Sequence, residues 1–396
     1  MKVRKIVAFV IALVTVLETA VIYAASAHDG DIDKNGIIDF SDAMIVLRYA
    51  AGHTVKTERK ILDINGDGKI NSADVLMILD MSVKSISGYK GNPAEIKYIN
   101  SFTSLVNNSA VYKNMSAISG SIGSRWYKGS NVIKTCDYIL STLKSYGYSD
   151  SNIISDEFIG KEDTPLKNIY CKIPTSKSNA DILVFCAHYD SADIGRGAVD
   201  NASGVCTVLE IARIMKSMRK DFGKEIRFCF FSGEEVGFYG AYRYMTYIKS
   251  GTSSADRHKF VLNIDMAAHH TSDKDWYLCV CTEPYTSTYS YRKAQRNYTS
   301  NTVDAAKKIV GDCGEYRYVS PVTSSEHDLV PFRRNDISGV TLSWRVVDSS
   351  RSGGNDMDLA SPPLIHTSYD TIENTDMDSL YSTVRLVAAV AAEATF

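Results

Sequence analysis

Ile182-Leu183-Val184-Phe185-Cys186-Ala187-His188-Tyr189-Asp190-Ser191 decides the fold. Ile182 to Cys186 is a short, continuous apolar run of the kind that fills a strand buried on both faces. It ends on a histidine and, two residues later, an aspartate. The same construction recurs downstream. Ile226–Phe231 runs into Ser232-Gly233-Glu234-Glu235, and Phe260–Ile264 runs into Asp265. A further apolar run lies at Val340–Trp344, and helical stretches such as Val205–Met215 and Gly237–Ile248 fall between these runs. This alternation predicts an α/β domain: a mixed, mostly parallel sheet flanked by helices. Ligands of such sheets bind beyond the carboxyl ends of the strands.

Polar residues collect at that edge. His188, Glu234, Glu235 and Asp265 follow three of the strands. Asp200 enters the next helix in Val199-Asp200-Asn201-Ala202-Ser203-Gly204, and His366 comes last, in Ile365-His366-Thr367. Each alone has an ordinary reading as a helix cap, a surface charge or a solvated imidazole. Together, mixed imidazole and carboxylate donors suit zinc, and His188, Asp200, Glu235, Asp265 and His366 are one donor too many for a single tetrahedral site. Two ions sharing one carboxylate resolve that count and give a centre able to clamp an oxygen and activate water. The neighbours Glu234 and Glu235 then divide the labour. One spends its charge on metal, and the other stays free to carry a proton.

His188 to Asp200 with D-N-A-S-G, then S-G-E-E-V-G, N-I-D-M and the late H-T-S-Y-D-T resemble the co-catalytic zinc peptidases of the secreted bacterial aminopeptidase family, whose relatives include plasma glutamate carboxypeptidase and glutaminyl cyclase. The resemblance spans residues 95–396 and implies a phosphorylase/hydrolase-like zinc exopeptidase fold. It makes Asp200 the bridging carboxylate. His188 and Asp265 complete one zinc site, and Glu235 and His366 the other. It makes Glu234 the general base and later the general acid, and Asp190 the carboxylate that orients His188. Aminopeptidase activity is the leading expectation. Carboxypeptidase and cyclase activities, and an inactive binding module, stay open. The sequence departs from the family pattern at Val199, where many relatives have Asp, and in Ser325-Glu326-His327-Asp328-Leu329-Val330-Pro331-Phe332, where the family's S-D-H-x-P-F carries Asp for Glu and fewer residues. That segment bears on side-chain preference.

The chain divides near residue 90, at Ser87-Gly88-Tyr89-Lys90-Gly91-Asn92-Pro93. Before it stands a repeat. Asp31-Ile32-Asp33-Lys34-Asn35-Gly36-Ile37-Ile38-Asp39-Phe40-Ser41-Asp42 and Asp63-Ile64-Asn65-Gly66-Asp67-Gly68-Lys69-Ile70-Asn71-Ser72-Ala73-Asp74 begin 32 residues apart, and each leads into an apolar helical stretch. Oxygens at loop positions 1, 3, 5, 9 and 12, a backbone carbonyl at position 7 and glycine at position 6 describe a calcium loop. The ligands are Asp31, Asp33, Asn35, Ile37, Asp39 and Asp42 in the first loop. Asp63, Asn65, Asp67, Lys69, Asn71 and Asp74 serve the second. Aspartate rather than glutamate closes each loop, and no helix is expected before the first in the mature chain. In this the segment resembles the duplicated loop–helix module of dockerins, small all-α domains that bind two Ca²⁺ and dock onto cohesin modules of a scaffold, as in cellulosomes. Dockerins select cohesins partly through loop positions 10 and 11, here the dissimilar pairs Phe40-Ser41 and Ser72-Ala73. A calcium staple with no docking role is the competing reading.

Lys2, Arg4 and Lys5, an apolar run from Ile6 to Leu17 and the small residues Ala25-Ser26-Ala27 read as a signal peptide over 1–27, the alternative being an uncleaved anchor. The expected organisation is a signal peptide over 1–27, a dockerin over 28–86, a linker over 87–94 and a zinc peptidase domain over 95–396, in a secreted protein free of membrane after cleavage. Removing 1–27 leaves a formal charge of −4. No basic run offers a nucleic-acid footprint, so that class is set aside. Most of the 8 cysteines fall in apolar strand-like or helical stretches, which reads as buried thiols rather than a disulfide framework.

Overall fold

Ile182–His188 is a central strand of a nine-stranded sheet, and all seven of its residues are buried. The structure, a computed structural model, describes residues 32, 40–55, 57–64, 68–78, 93–250, 257–272, 276–281, 299, 301–307, 315–319, 327–347 and 359–396. The chain forms two compact units, Met1–Lys90 and Gly91–Phe396.

In the larger unit the strands are β1 (Ile153–Ile159), β2 (Pro165–Ile173), β3 (Ile182–His188), β4 (Glu225–Phe231), β5 (His258–Ile264), β6 (Trp276–Cys281), β7 (Glu315–Val319), β8 (Val340–Val347) and β9 (Leu359–Ala360). They lie in the order β1-β2-β4-β3-β5-β8-β6-β7, with β9 on β8. The centre, β4-β3-β5-β8, is parallel throughout, and antiparallel pairings border it on both sides. The sheet is therefore mixed, with the expected parallel strands at its core. Helices cover it. Ser203–Ser217 is buried along almost its whole length, and Met377–Glu393 starts at a capping bond in which Asp376 accepts the Ser379 N–H at 2.8 Å.

The edge strand β1 reverses the usual pattern: among its seven residues only Asp156 is buried. That carboxylate accepts two hydrogen bonds from Arg243 on the Tyr239–Ser250 helix, at 2.9 and 2.7 Å, and one from the Tyr170 hydroxyl at 2.9 Å. A fully partnered polar cluster thus replaces an apolar face where the helix meets the sheet edge. Of the tyrosines on that helix, Tyr244 is buried, while Tyr239 and Tyr242 are half-buried. The seven cysteines among the described residues, Cys136, Cys171, Cys186, Cys206 and Cys229 among them, are free and buried, packing as small apolar side chains.

In the smaller unit Phe40–Ala50 and residues 72–78 are helical, with Arg59–Leu62 a short turn of helix between them. Ile32, Ala43, Val46, Leu62, Ile64, Val75 and Ile78 form its core, so the two repeat copies bury equivalent residues together. The segment 1–27 and calcium ligands Asp31, Asp33, Asn35, Ile37, Asp39, Asn65 and Asp67 lie outside the described residues. So does the joint 87–94 except for its last two residues, which open the Pro93–Thr103 helix. No described helix is long and apolar enough to cross a membrane.

Candidate active site and metal centres

β3, β4 and β5 run parallel and end side by side, so the residues that follow them converge. Asp200 sits in a turn leading into the Ser203–Ser217 helix, and its peptide bond to Asn201 is cis. Asn201 ties this turn to the end of β5. Its Nδ2 donates to the Ile264 carbonyl at 2.9 Å, and its Oδ1 accepts the Gly204 and Met266 N–H groups at 2.9 and 3.2 Å. The approach is so close that a Cβ on Gly204 would stand 2.3 Å from Asn201 Oδ1 and 2.4 Å from the Ile264 carbonyl oxygen.

The two oxygens of Asp200 face different partners. Oδ1 lies 3.2 Å from His188 Nε2, which is itself 3.4 Å from Asp265 Oδ1. Oδ2 lies 3.1 Å from His366 Nε2, which is 3.1 Å from Glu235 Oε2. His188, Asp200, Glu235, Asp265 and His366 therefore form two donor groups joined at one carboxylate. His188, Asp200 and Glu235 on one hand, and His188, Glu234 and Asp265 on the other, bring ligand atoms within 4.8 Å of one another. His188 is deeply buried, whereas the His366 side chain is 53% exposed, so the site opens on the His366 side.

Asp190 is buried behind the site. One of its oxygens lies 3.6 Å from His188 Nδ1, beyond hydrogen-bond length. The same carboxylate accepts the backbone N–H groups of Glu234 and Glu235 at 3.2 and 3.3 Å. It thus holds the turn that presents both glutamates, at the position where Gly233 takes a positive φ of 79°. Glu234 is buried beside the donor groups and lines the open cleft with Phe238, Met266 and Ile365.

The electrostatics ask for cations. Burial pushes the Glu234 carboxyl well above its usual range, and Glu235 up to about 7. Hydrogen bonds to Asp200 and Glu235 raise His366 to about 10. Burial opposes charge on His188, but the surrounding carboxylates, Glu234 first, outweigh it and raise its pKa well above the usual value. Without metal, crowded carboxylates draw protons onto one another and onto the imidazoles. A divalent cation satisfies the same demand. Glu235 Oε1 and His188 Nδ1 are buried without a hydrogen-bond partner, and the nitrogen and oxygen donor set fits zinc.

Four residues that sequence reasoning left unassigned support this arrangement. Arg125 is fully buried and donates to the carbonyls of Gly123, Tyr189, Arg196 and Gly197 at 2.6–3.1 Å, bracing the loop behind His188. Asp370, four residues after His366, accepts the N–H groups of Val199 and Asp200. His327 Nδ1 lies 2.7 Å from Asp265 Oδ2. Asp328 is buried with neither oxygen hydrogen-bonded, and burial pushes its carboxyl up to about 8. His327 and Asp328 fall in the Ser325–Phe332 segment that bears on side-chain preference, and Asp370 falls in H-T-S-Y-D-T. Nothing in the sequence marked Arg125.

In the smaller unit the two loops repeat one bond. Asp42 Oδ1 accepts the Ile32 N–H at 2.6 Å, and Asp74 Oδ1 accepts the Ile64 N–H at 2.9 Å, each across ten residues. Asp74 Oδ2 also takes the Asn71 N–H, and Asp63 Oδ2 takes the N–H of Gly68, whose φ is 79°. Asp63 Oδ1 is buried without a hydrogen-bond partner, as a calcium ligand would be before binding. Lys69, which would offer its carbonyl, belongs to the same loop.

Comparison with known proteins agrees with both units. The family model for Peptidase family M28 matches residues 168–391, and that of the dockerin type I domain matches residues 29–80. Aminopeptidase YwaD of Bacillus subtilis is 30% identical over 223 residues, 56% of this chain and 43% of that protein. Carboxypeptidase Q of Xenopus laevis is 26% identical over 118 residues, 30% of this chain and 25% of that one. The matched region thus spans less than half the length of these curated relatives. Among solved structures, the fold is shared with a zinc aminopeptidase from Bacillus subtilis at TM-score 0.59 and 18% identity, covering 73% of this chain and 95% of that one. It is also shared with a glutaminyl cyclase from Macrostomum lignano at TM-score 0.61 and 18% identity, covering 75% and 92%. With the family model covering more than half its length, the chain belongs to peptidase family M28 and carries a dockerin type I domain ahead of its peptidase region.

Proposed function

We propose that this is an exported two-zinc aminopeptidase carried to a cohesin-bearing scaffold by its dockerin. The observation that carries the catalytic reading is the division of Asp200, one oxygen toward His188 and Asp265, the other toward His366 and Glu235. His188, Asp200 and Asp265 would hold one ion; Asp200, Glu235 and His366 would hold the other. When bound, zinc supplies Lewis acidity to the scissile carbonyl and lowers the pKa of water.

The chain's own residues do the rest. Glu234 takes the proton that the attacking water gives up, and returns it to the amine nitrogen as the C–N bond breaks. Asp190 fixes the backbone of Glu234 and Glu235, so the proton carrier and the metal ligand keep their relative positions. The exposed side of His366 is where a peptide enters. The aminopeptidases among the relatives and structural neighbours support attack at a free N-terminus.

The paired bonds Asp42–Ile32 and Asp74–Ile64 support two calcium loops of one design, held by Asp31, Asp33, Asn35, Ile37, Asp39 and Asp42 and by Asp63, Asn65, Asp67, Lys69, Asn71 and Asp74. The charged n-region, apolar run and small residues of 1–27 support export. We assign 28–86 to the dockerin, 87–94 to the linker and 95–396 to the peptidase.

A panel of free and N-blocked peptides tests the catalytic reading. Hydrolysis restricted to free N-termini is the expected result. Cleavage of blocked peptides alone overturns the aminopeptidase assignment, and cyclisation of N-terminal glutamine replaces it with the cyclase. Calcium-dependent retention on a cohesin array tests docking, and absence of retention on every cohesin of the source organism leaves the loops as a structural staple.

A further inference from the structure

His327 lines the cleft, yet both its ring nitrogens are engaged by other side chains. Nδ1 lies 2.7 Å from Asp265 Oδ2, and Nε2 lies 2.7 Å from Arg345 Nη2. A guanidinium can only donate, so His327 Nε2 must accept. The single proton of the neutral ring is then on Nδ1, and its only acceptor there is Asp265. Arg345 is itself fixed. It is buried, stands on β8, and its Nη1 donates to Ser361 Oγ at 2.6 Å.

We infer that Arg345 locks His327 in the Nδ1–H tautomer, and that His327 thereby occupies one oxygen of Asp265 and leaves the other, Oδ1, to face His188. His327 is a positioning residue, and it is unavailable as a proton carrier for substrate because Arg345 fills its second nitrogen. The chain Arg345–His327–Asp265 sets which oxygen the β5 carboxylate offers and at what angle. This is the support that precise ligand placement requires, and its loss costs metal affinity. The consequence for metal rests on the reading of Asp265 as a ligand; the tautomer does not.

The test is nitrogen-15 NMR of the histidine rings in the intact, metal-free chain. His327 is identified by ring connectivity to its Cβ and by the signal lost in His327→Asn. A neutral ring protonated on Nδ1 is the expected result at pH 8, and Arg345→Met is expected to shift the Nε2 resonance, which loses its donor, while Nδ1 stays protonated against Asp265. A ring protonated on Nε2, or on both nitrogens, in the unsubstituted chain overturns the inference. Zinc competition gives the second readout. The Asn amide can replace the Nδ1 donor, so His327→Asn should keep zinc affinity within about 3-fold, while His327→Leu loses about 10-fold or more. Equal losses in the two variants refute the positioning role. If both variants keep wild-type zinc affinity, the positioning role fails; if Asp265→Ala also leaves zinc affinity unchanged, Asp265 is not a ligand, and the proposed function fails rather than the tautomer.

Discussion

Asp370 holds the backbone of Asp200. Its Oδ2 accepts the Asp200 N–H at 3.2 Å, and its Oδ1 accepts the Val199 N–H at 2.8 Å. Asp370 lies on the segment that delivers His366, so one stretch of chain supplies a terminal donor and fixes the turn of the shared one. An amide at this position keeps the shape but loses an acceptor, leaving one buried N–H unpaired. Asp370→Asn is therefore expected to cost about 1–3 kcal/mol of stability. Zinc affinity should fall about 10–100-fold. Thermal denaturation and zinc competition check the two effects; an unchanged zinc affinity removes Asp370 from the support of the site.

Glu234 separates proton transfer from metal binding. Glu234→Gln is expected to keep both zinc ions and lose about 100-fold or more in kcat. Zinc analysis and steady-state rates measured on one preparation decide this. Wild-type turnover in the variant places the proton carrier elsewhere.

The carboxyl edge of the sheet was legible because parallel strands buried on both faces read as apolar runs, and the donors follow them directly: His188 after Ile182–Cys186, Glu234 and Glu235 after Ile226–Phe231, Asp265 after Phe260–Ile264. β1 was not legible. Its one buried side chain is Asp156, whose partner Arg243 lies 87 residues away, and no local period records such a bond. Arg125 was hidden for the same reason: its acceptors are backbone carbonyls, and any residue offers one. His327 and Asp370 stood in segments already singled out, but their roles depend on which oxygen of which aspartate they reach, and that is a property of the fold. The expected helix Val205–Met215 extends two residues further at each end; at its start the Ser203 hydroxyl donates to the Val199 carbonyl and accepts the Ala267 N–H, bonds set by the fold.

Gly204 is required for space. Any Cβ there would press on Asn201 Oδ1 and the Ile264 carbonyl, which are held by two other hydrogen bonds. Gly204→Ala is expected to destabilise the peptidase unit by about 1–3 kcal/mol through overpacking. The loss should fall on zinc binding as well, since Asn201 adjoins Asp200. A melting temperature equal to that of the wild type contradicts this.

Glu393, on the C-terminal helix, gives a pH dependence remote from the metal centre. Burial pushes its carboxyl up to about 7, and Glu95 beside it adds to the shift. A carboxyl whose folded pKa is raised binds its proton more tightly in the folded state. Its stabilising contribution is complete below the unfolded pKa of about 4.3 and is lost as pH rises toward 7. Glu393→Gln removes the group that must ionise in place. The variant should gain stability relative to wild type from pH 5 to pH 8, read from melting temperatures at each pH. A constant difference across that range shows that Glu393 does not titrate as described.

The most direct measurement of the shared-carboxylate centre is zinc stoichiometry of the metal-free chain, titrated in excess calcium to fill the dockerin loops, with Asp200→Ala alongside. Two zinc ions per chain in the wild type, and tight retention of neither in Asp200→Ala, is the predicted result. A single zinc ion in the wild type, or one held with undiminished affinity after Asp200 is removed, contradicts a centre built on Asp200.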